Sequence, residues 1–111
     1  MNTSDFEITD KLSIDPLDRL IFEQGLRIKR LFFDVELDLM LVVLTNSKVL
    51  NLKLSSFQRL QNASLEQLTS YELEGEGVSA TWPILDENLS VKGFIKQAAM
   101  EEAIHHLAKV A

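Results

Sequence analysis

The sequence predicts an α+β fold: a small antiparallel sheet, made of a three-stranded meander and a second hairpin, with helices on one face and a long C-terminal helix. Short apolar runs between residues 26 and 54 are separated by brief polar turns, as in consecutive antiparallel strands. Gly75 and Gly77 lie between two further strand-like runs and indicate the second hairpin. Ser90 is suited to cap a helix that continues to about Val110.

Residues 1–25 are assigned to an N-terminal extension with one short helix. Residues 1–14 are ambiguous, because apolar residues at even positions hint at an extended segment but Asp10 breaks the alternation. Asp15 can cap the free amides of a helix, and Pro16 is pre-shaped for its first turn. Gly25 suits the exit of that helix, which is short and therefore needs a surface to lie on.

The meander is assigned to three strands. Leu26 to Phe33 forms the first, and an acidic turn follows it. Leu39 to Leu44 is apolar on both faces, so we expect a central strand that is covered on two sides. Thr45-Asn46-Ser47 is expected to form the next turn, since asparagine tolerates the left-handed conformation better than most residues. Lys48 to Leu54 alternates between leucine and more polar residues, which predicts a half-exposed third strand.

The following residues predict two short helical turns and the second hairpin. Ser55-Ser56 opens a short helix through Leu60, and Ser64 caps another brief turn. Tyr71 to Glu74 and Val78 to Trp82 pair across the glycine turn, and Pro83 ends the second strand because it cannot donate to a ladder.

The long helix carries an apolar stripe that changes sides. At 100° per residue, the apolar residues of the first half share one side: Val91, Phe94, Ile95, Ala98 and Ala99. Those of the second half fall on nearly the opposite side: Met100, Ala103, Ile104, Leu107 and Ala108. Three interpretations remain open. The helix breaks near Ala99, or its second half faces another chain, or the N-terminal segment of the same chain wraps it.

Composition excludes several classes of protein. A net charge of −6 argues against nucleic acid as the direct partner, since phosphate binding depends on clustered Lys and Arg. The absence of cysteine excludes a disulfide framework, thiol chemistry and cysteine-ligated zinc. The N-terminal residues are acidic and polar, unlike a secretory signal, and the longest apolar run is far too short to span a bilayer. We therefore expect a cytoplasmic protein with no membrane partner.

Charge is unevenly distributed along the chain. Acidic residues dominate residues 1–25 and 64–90, and the second of these segments has no Lys or Arg. A small basic group, Arg27, Lys29 and Arg30, lies between them. Solvated strand faces explain this pattern, and the alternative is an acidic surface that meets a basic protein and so speeds encounter.

The candidate chemical sites have little support. His105 and His106 are adjacent, so on a helix they point about 100° apart, and each has a glutamate four residues earlier but no third ligand. Glu72, Glu74 and Glu76 recur at period two along one expected sheet face, and Asp86 and Glu87 follow them in the sequence. No neighbouring nucleophile or base pattern indicates catalysis, and no cofactor or metal is predicted.

The segment from Tyr71 to Phe94 resembles a widespread family of small bacterial domains of unknown function. The matching residues are Tyr71, Glu72, Leu73, Gly75, Gly77, Trp82, Pro83, Leu85, Asp86, Glu87, Leu89, Ser90, Val91 and Gly93. Upstream, the residues that match the family pattern are Phe57, Arg59, Leu60, Asn62, Ala63, Ser64, Glu66 and Gln67. Asn46-Ser47 departs from the Asp-Gly of the family, and Ser56 replaces a common aromatic residue.

The resemblance defines the domain organisation. It covers about Leu26 to Ile95, so residues 26–95 are assigned to the family domain and residues 96–111 to a C-terminal helix extension. Gly75, Gly77, Trp82, Pro83, Asp86, Ser90 and Gly93 are assigned to the structural signature of the family, although Trp82 and Pro83 could instead contact a partner. Some members lie beside toxin–antitoxin or helix-turn-helix components, which hints at an antitoxin-like role.

We therefore predict a non-enzymatic protein-interaction module, an acidic adaptor or antitoxin-like neutraliser of a basic partner, or a chain that associates with itself through the C-terminal helix. The predicted interface consists of Met100, Ile104, Leu107, Glu74 and Glu76. One alternative is a small ligand-binding or metal-binding domain, or an enzyme, that uses the hairpin carboxylates or the histidine pair. A second alternative is a component of a transcriptional regulator that reads DNA through the basic group.

Overall fold

The structure, a computed structural model, describes residues 15–110. The ambiguous prediction for residues 1–14 lies outside the described residues. In chain order the elements are α1 (Pro16–Asp18), a π-helical segment (Arg19–Glu23), β1 (Ile28–Asp34), β2 (Leu39–Leu44), β3 (Val49–Lys53), a 3-10 helix (Leu54–Ser56), α2 (Leu65–Thr69), β4 (Glu72–Glu74), β5 (Ser79–Trp82), β6 (Glu87–Ser90) and α3 (Val91–Val110). This α+β architecture confirms the predicted fold class.

The first sheet is an antiparallel meander in the order β1-β2-β3, with β2 in the centre as predicted. Its inner face carries Leu31, Met40, Val42 and Leu52, which are all buried in the core. The prediction that β2 is covered on two sides is correct for this face alone. The side chains on its other face are only half-buried.

Two turns of this sheet hold non-glycine residues in the left-handed region. Asp38 has φ 56°, and its carboxylate accepts hydrogen bonds from the Ser55 amide and hydroxyl. The turn predicted at Thr45-Asn46-Ser47 is present between β2 and β3, and its left-handed residue is Ser47, at φ 72°. Asn46 instead accepts from the Lys48 amide through Oδ1 at 3.0 Å. The Asn46 side chain therefore stabilises the turn from the position before Ser47.

The second sheet is also a meander, in the order β4-β5-β6, rather than a hairpin alone. The additional strand, β6, pairs with β5 after a turn that places Asp86 at φ 56°. Its sequence, ENLS, has one large apolar residue and low strand propensity, so no periodic signal predicts it. Its last residue, Ser90, also caps α3 as predicted, since its Oγ accepts from the Gly93 amide at 2.9 Å.

Hydrogen bonds of the backbone and of the Tyr71 hydroxyl join the two sheets. The Ile28 amide donates to the Gly77 carbonyl at 2.8 Å. The Leu31 amide donates to the Tyr71 hydroxyl at 3.1 Å. Fully buried Trp82 donates from Nε1 to the carbonyl of Leu68 at 2.9 Å and so joins β5 to α2. The two sheets therefore share one hydrophobic core.

The N-terminal helical turn is fixed from both ends. Asp15 caps α1 by accepting from the Leu17 amide at 2.9 Å, and Gly25 ends the segment at φ 77°, as predicted. Lys92, in the first turn of α3, bonds the carboxylates of Asp15 at 2.8 Å and Asp18 at 3.0 Å. This bond from Lys92 lowers the pKa of Asp15, and the same contacts raise the pKa of Lys92.

The connection between β3 and β4 holds the two short predicted turns. The helix predicted from Ser55 to Leu60 is a 3-10 helix of three residues followed by a hydrogen-bonded turn. Ser64 begins α2 with a capping box, because its Oγ accepts from the Gln67 amide while the Gln67 side chain accepts from the Ser64 amide.

Candidate functional site

The long helix α3 runs from Val91 to Val110 without a break, so the interpretation that it breaks near Ala99 is wrong. Its first half packs on the core through Val91 and Phe94, and the ring of Phe94 meets Phe57 edge-on at 5.8 Å. The helix therefore changes its apolar side within one continuous rod of about 30 Å.

Glu101 is the point at which α3 is last attached to the domain among the described residues. Its carboxylate accepts from the Ser56 hydroxyl, from the Lys53 amide at 3.3 Å and from Gln97 Nε2 at 3.0 Å. From Glu102 through Lys109 every side chain is exposed. The last two turns of the helix therefore make no described hydrogen bond from their side chains to the sheets.

The exposed half of α3 carries the second apolar stripe. Met100 is 50% exposed, Ile104 58% and Leu107 67%. Steps of 100° place these three side chains on one face, nearly opposite the side that carries Val91 and Phe94. We call Met100, Ala103, Ile104 and Leu107 the helix stripe. An apolar ridge of this spacing is the form in which one helix packs into a groove or against a second helix.

A groove of about 440 Å³ lies between this half of the helix and the end of β3. Its lining residues are Lys53, Ser56, Gln97, Glu101, Ile104, His105 and Ala108. Ile104 therefore borders both the groove and the helix stripe, and a segment docked on the stripe would contact the polar groove wall as well.

The structure does not bring all the predicted interface residues together. Glu74 lies on β4, where its Oε1 accepts from Asn88 Nδ2 at 3.3 Å, and Glu76 lies in the adjacent turn. This hairpin contacts the beginning of α3, since the Val91 amide donates to the Val78 carbonyl. Leu107 lies sixteen residues further along the helix, about 24 Å away at 1.5 Å per residue.

The spacing of Glu72, Glu74 and Glu76 predicts a row of three carboxylates on the second sheet, and the structure has two of them in that row. Glu72 and Glu74 share one face of the second sheet, paired with Thr81 and Ser79. Glu76 has φ 57° and lies in the hairpin turn, so its assignment to the same row is wrong. His105 and His106 are both exposed on α3. Across residues 15–110 no group of three or more His, Cys, Asp or Glu side chains is placed to hold a metal ion.

The basic group is divided between a structural residue and two exposed ones. Arg27 donates from Nη1 to the Ile21 carbonyl and lies 5.8 Å from the centre of the Phe22 ring. It therefore attaches the π-helical segment to β1. Lys29 and Arg30 are exposed.

The residues of the family signature occupy turns, caps and the core. Gly77 is buried at φ 97°, and a Cβ there would lie 2.3 Å from the Ile28 carbonyl oxygen. Pro83 follows buried Trp82 and is itself exposed. Asp86, in the β5–β6 turn, pairs with Arg59 at 3.1 Å.

Sequence reasoning missed the roles of Glu101 and Asp38. Glu101 attaches α3 to Lys53 and Ser56, and Asp38 attaches the β1–β2 turn to Ser55. A charged residue with alternative solvated positions carries no periodic signal, so its partner is visible only in the folded chain. No helix in the described part of the chain is long and apolar enough to cross a membrane.

Comparisons place the chain among uncharacterised proteins. No curated protein matches it. A crystal structure of a protein of unknown function from Rhodospirillum rubrum is similar, with 28% identity and a TM-score of 0.57 over 65% of this chain and 87% of that chain. A solution NMR structure of an uncharacterized protein from Chromobacterium violaceum shares the fold, with 21% identity and a TM-score of 0.59 over 88% of this chain and 87% of that chain. The family model described as a protein of unknown function, DUF2442, matches residues 31–99, more than half of the sequence. The chain therefore belongs to the DUF2442 family.

Proposed function

We propose that this protein is a non-enzymatic interaction module that binds a partner protein through the helix stripe. One observation carries the proposal: an unbroken helix leaves the domain after Glu101 and presents Met100, Ile104 and Leu107 to solvent. Large apolar side chains in register on the half of α3 that contributes no buried residue to the core favour a docking surface over a structural role.

The energetic gain from covering the stripe is considerable. Burying a Leu, Ile or Met side chain completely contributes about 1.5–3 kcal/mol, and these three side chains are half to two-thirds exposed. A partner that covers them therefore gains several kcal/mol before the entropy of association is subtracted. A groove or a second apolar helix is the partner surface that fits a ridge of this shape.

The net charge selects the kind of partner. At −6 the chain repels acidic proteins and attracts basic ones, which raises the association rate and makes it sensitive to salt. We therefore propose a basic protein, and the linkage of some relatives to toxin–antitoxin components supports a neutraliser that occludes such a partner. The acidic hairpin with Glu74 and Glu76 contributes to this attraction at a distance rather than in the same contact.

The test combines capture of the partner with variants of the stripe. The tagged full-length chain is used to capture proteins from its host lysate after nuclease treatment, and the recovered partner is then purified and its affinity measured. Met100→Asp with Ile104→Asp is expected to abolish binding. Lys109→Asp is the matched control, because it changes the net charge by the same two units on an exposed residue of the same helix.

Three outcomes decide the proposal. A stoichiometric basic partner that binds the wild type and the Lys109→Asp variant, but not the stripe variant, supports it. A partner that binds the stripe variant as tightly as the wild type overturns the assigned surface. An affinity that stays constant between low and high salt overturns the assignment of a basic partner.

The two alternatives have no supporting arrangement in residues 15–110. The hairpin carboxylates and the histidine pair do not converge with a third ligand. Arg27, the first residue of the basic group, is held by the π-helical segment. We therefore carry forward neither a metal or ligand site nor a DNA-reading strand.

A further inference from the structure

The outer face of the first sheet is a second surface that no described element covers, although α3 lies beside its β3 edge at Asn51 and Lys53. The registers of β1, β2 and β3 arrange its side chains in three rows across the sheet: Arg30, Val43 and Val49; Phe32, Leu41 and Asn51; Asp34, Leu39 and Lys53. We call these nine residues the outer face. Five of the nine are apolar, and the charged residues lie at its corners.

The outer face is open to solvent. Phe32 is 50% exposed and Val49 52%, while the three apolar residues of β2 between them are half-buried. A shallow hollow of about 220 Å³, partly lined by Phe32, Leu39 and Leu41, lies at one end of it. Val35 and Leu37, in the adjacent β1–β2 turn, are 46% and 70% exposed and extend the apolar area. Contiguous apolar area of this kind on one sheet face is typical of an interface.

We propose that a second copy of this chain covers the outer face, in a symmetric dimer whose two first sheets pack face to face. Sheets stacked in this way lie about 10 Å apart with their strands roughly aligned. A two-fold axis makes the same patch serve both copies, so the patch must be complementary to itself. The arrangement of charge on the outer face meets that requirement.

The first symmetric arrangement has its axis in the sheet plane and perpendicular to the strands. That axis exchanges the first and third rows, so Arg30 of one copy lies over Asp34 of the other, and the reverse pair forms as well. Val43 then lies over Leu39, while Phe32 and Leu41 each meet their own copies at the centre. Opposite charges and apolar residues are matched in these contacts, whereas Val49 lies over Lys53 and Asn51 over its own copy.

The second symmetric arrangement has its axis along the strands. That axis exchanges β1 with β3, so Asp34 of one copy lies over Lys53 of the other. Asp34 therefore meets a cation in both arrangements, and its Oδ1 is already fixed by the Leu37 amide at 3.1 Å, which leaves Oδ2 for the partner. This self-complementarity favours a second copy over a partner of one uniform charge.

The size of the outer face limits the affinity. Three strands spaced about 4.8 Å apart and about five residues long cover a footprint of roughly 14 by 17 Å. With the turn residues included, the contact falls at or below the lower end of the range for specific interfaces. We therefore expect a reversible dimer with a dissociation constant in the micromolar range or weaker, rather than an obligate one.

The experiment measures the mass of the full-length chain by sedimentation velocity from micromolar to near-millimolar concentration. The wild type is expected to shift from monomer to dimer. Asp34→Arg is expected to raise the dissociation constant about tenfold or more by placing like charges opposite each other. Phe32→Ser is expected to weaken the dimer without unfolding the chain, because Phe32 is half exposed. Circular dichroism of each variant confirms that it is folded.

Exchanging the charges of a predicted pair shows which of the two symmetry axes the dimer uses. If the axis is perpendicular to the strands, adding Arg30→Asp to Asp34→Arg restores the dimer, because the pair is re-formed with its signs exchanged. If the axis lies along the strands, Lys53→Asp combined with Asp34→Lys restores it instead. Either rescue supports the proposal, and failure of both overturns it.

The proposal is separable from the proposed function. Met100→Asp with Ile104→Asp, which removes the helix stripe, is expected to leave the dimer unchanged. A dimer that this variant abolishes and that Asp34→Arg leaves intact overturns the inference and assigns self-association to α3. A wild type that stays monomeric at the highest concentration also overturns it, and would mean that another protein or another part of the chain covers the outer face.

Discussion

Gly77 permits the contact by which β1 joins the β4–β5 turn. Its left-handed backbone at φ 97° directs its carbonyl to the Ile28 amide, and its missing side chain leaves room for the Ile28 carbonyl oxygen. Gly25 is also left-handed, at φ 77°, but no atom lies within 4 Å of the position of its Cβ. A side chain at Gly25 therefore costs only the left-handed backbone conformation, whereas one at Gly77 adds a steric clash to that cost.

Gly77→Ala is expected to lower the free energy of unfolding by about 3 kcal/mol or more, since it adds a backbone clash to the left-handed penalty. Gly25→Ala is expected to lower it by about 1–2 kcal/mol, from the left-handed penalty alone. Urea unfolding measured for both variants checks this difference. Equal losses at the two positions would contradict the assigned role of the Ile28 contact.

Ser47 holds a strained backbone in the β2–β3 turn, at φ 72°. Ser47→Gly is expected to raise the free energy of unfolding by about 0.5–1 kcal/mol, because relief of about 1–2 kcal/mol exceeds the added freedom of the unfolded chain. Thermal and urea unfolding measure the gain. Ser47→Ala, which keeps the strain, is the control, and a similar gain from it would refute the explanation.

At the scale of elements, the attachment of α3 depends on Glu101. Glu101→Ala removes the acceptor for Ser56 and for the Lys53 amide, so the second half of the helix is expected to open more often. Hydrogen exchange is expected to show faster exchange of the amides from residue 102 onwards, with the sheets unchanged. Glu102→Ala is the control, because Glu102 is exposed and contacts neither group. Equal acceleration in the control would contradict the role of Glu101.

The ion pairs between α1 and α3 predict a pH dependence. The pKa of Asp15 is lowered by Lys92, so its contribution is present above its unfolded pKa of about 3.9 and is lost as pH falls through the folded value. The pKa of Lys92 is raised by Asp15 and Asp18, so its contribution is present below about 10.4 and is lost as pH rises through the folded value.

Lys92→Met is therefore expected to reduce stability by a constant amount near neutral pH, and by less below about pH 4 and above about pH 10. Urea unfolding across this pH range measures the difference from the wild type. Lys96→Met, which removes the charge of an exposed lysine one turn along α3, is the control. A loss independent of pH would show that packing of the Lys92 stem matters more than its charge.

The elements that were predictable carry local signals. The spacing of residues in the sequence was enough to predict the alternation of β3, the capping residues Asp15 and Ser90, and the change of apolar side in α3. By contrast, β6 forms because it can pair with the free edge of β5, although its own residues have low strand propensity. The left-handed position at Ser47 rather than Asn46, and the attachment through Glu101, likewise depend on what lies opposite in the fold.

For the whole molecule, the contacts between the two sheets predict cooperative unfolding. The bonds from Ile28 to Gly77 and from Leu31 to Tyr71 join the two sheets, and buried residues of both form one core, so neither sheet keeps its core when the other is lost. Trp82 fluorescence and far-ultraviolet circular dichroism are expected to give the same urea midpoint. Because Trp82 lies in the second sheet, a fluorescence transition that precedes the loss of secondary structure would show that the sheets unfold separately.

The position of Phe94 in the core determines the order in which the newly made chain can fold. Met40 and Val42 of β2 share one core with Leu68, Trp82 and Phe94, which are all synthesised after the first sheet. During translation, a strand with six consecutive apolar residues is therefore finished long before its cover exists. Chaperone dependence and aggregation during synthesis should thus respond to the rate at which residues 54–94 are translated, although these residues lie outside that strand.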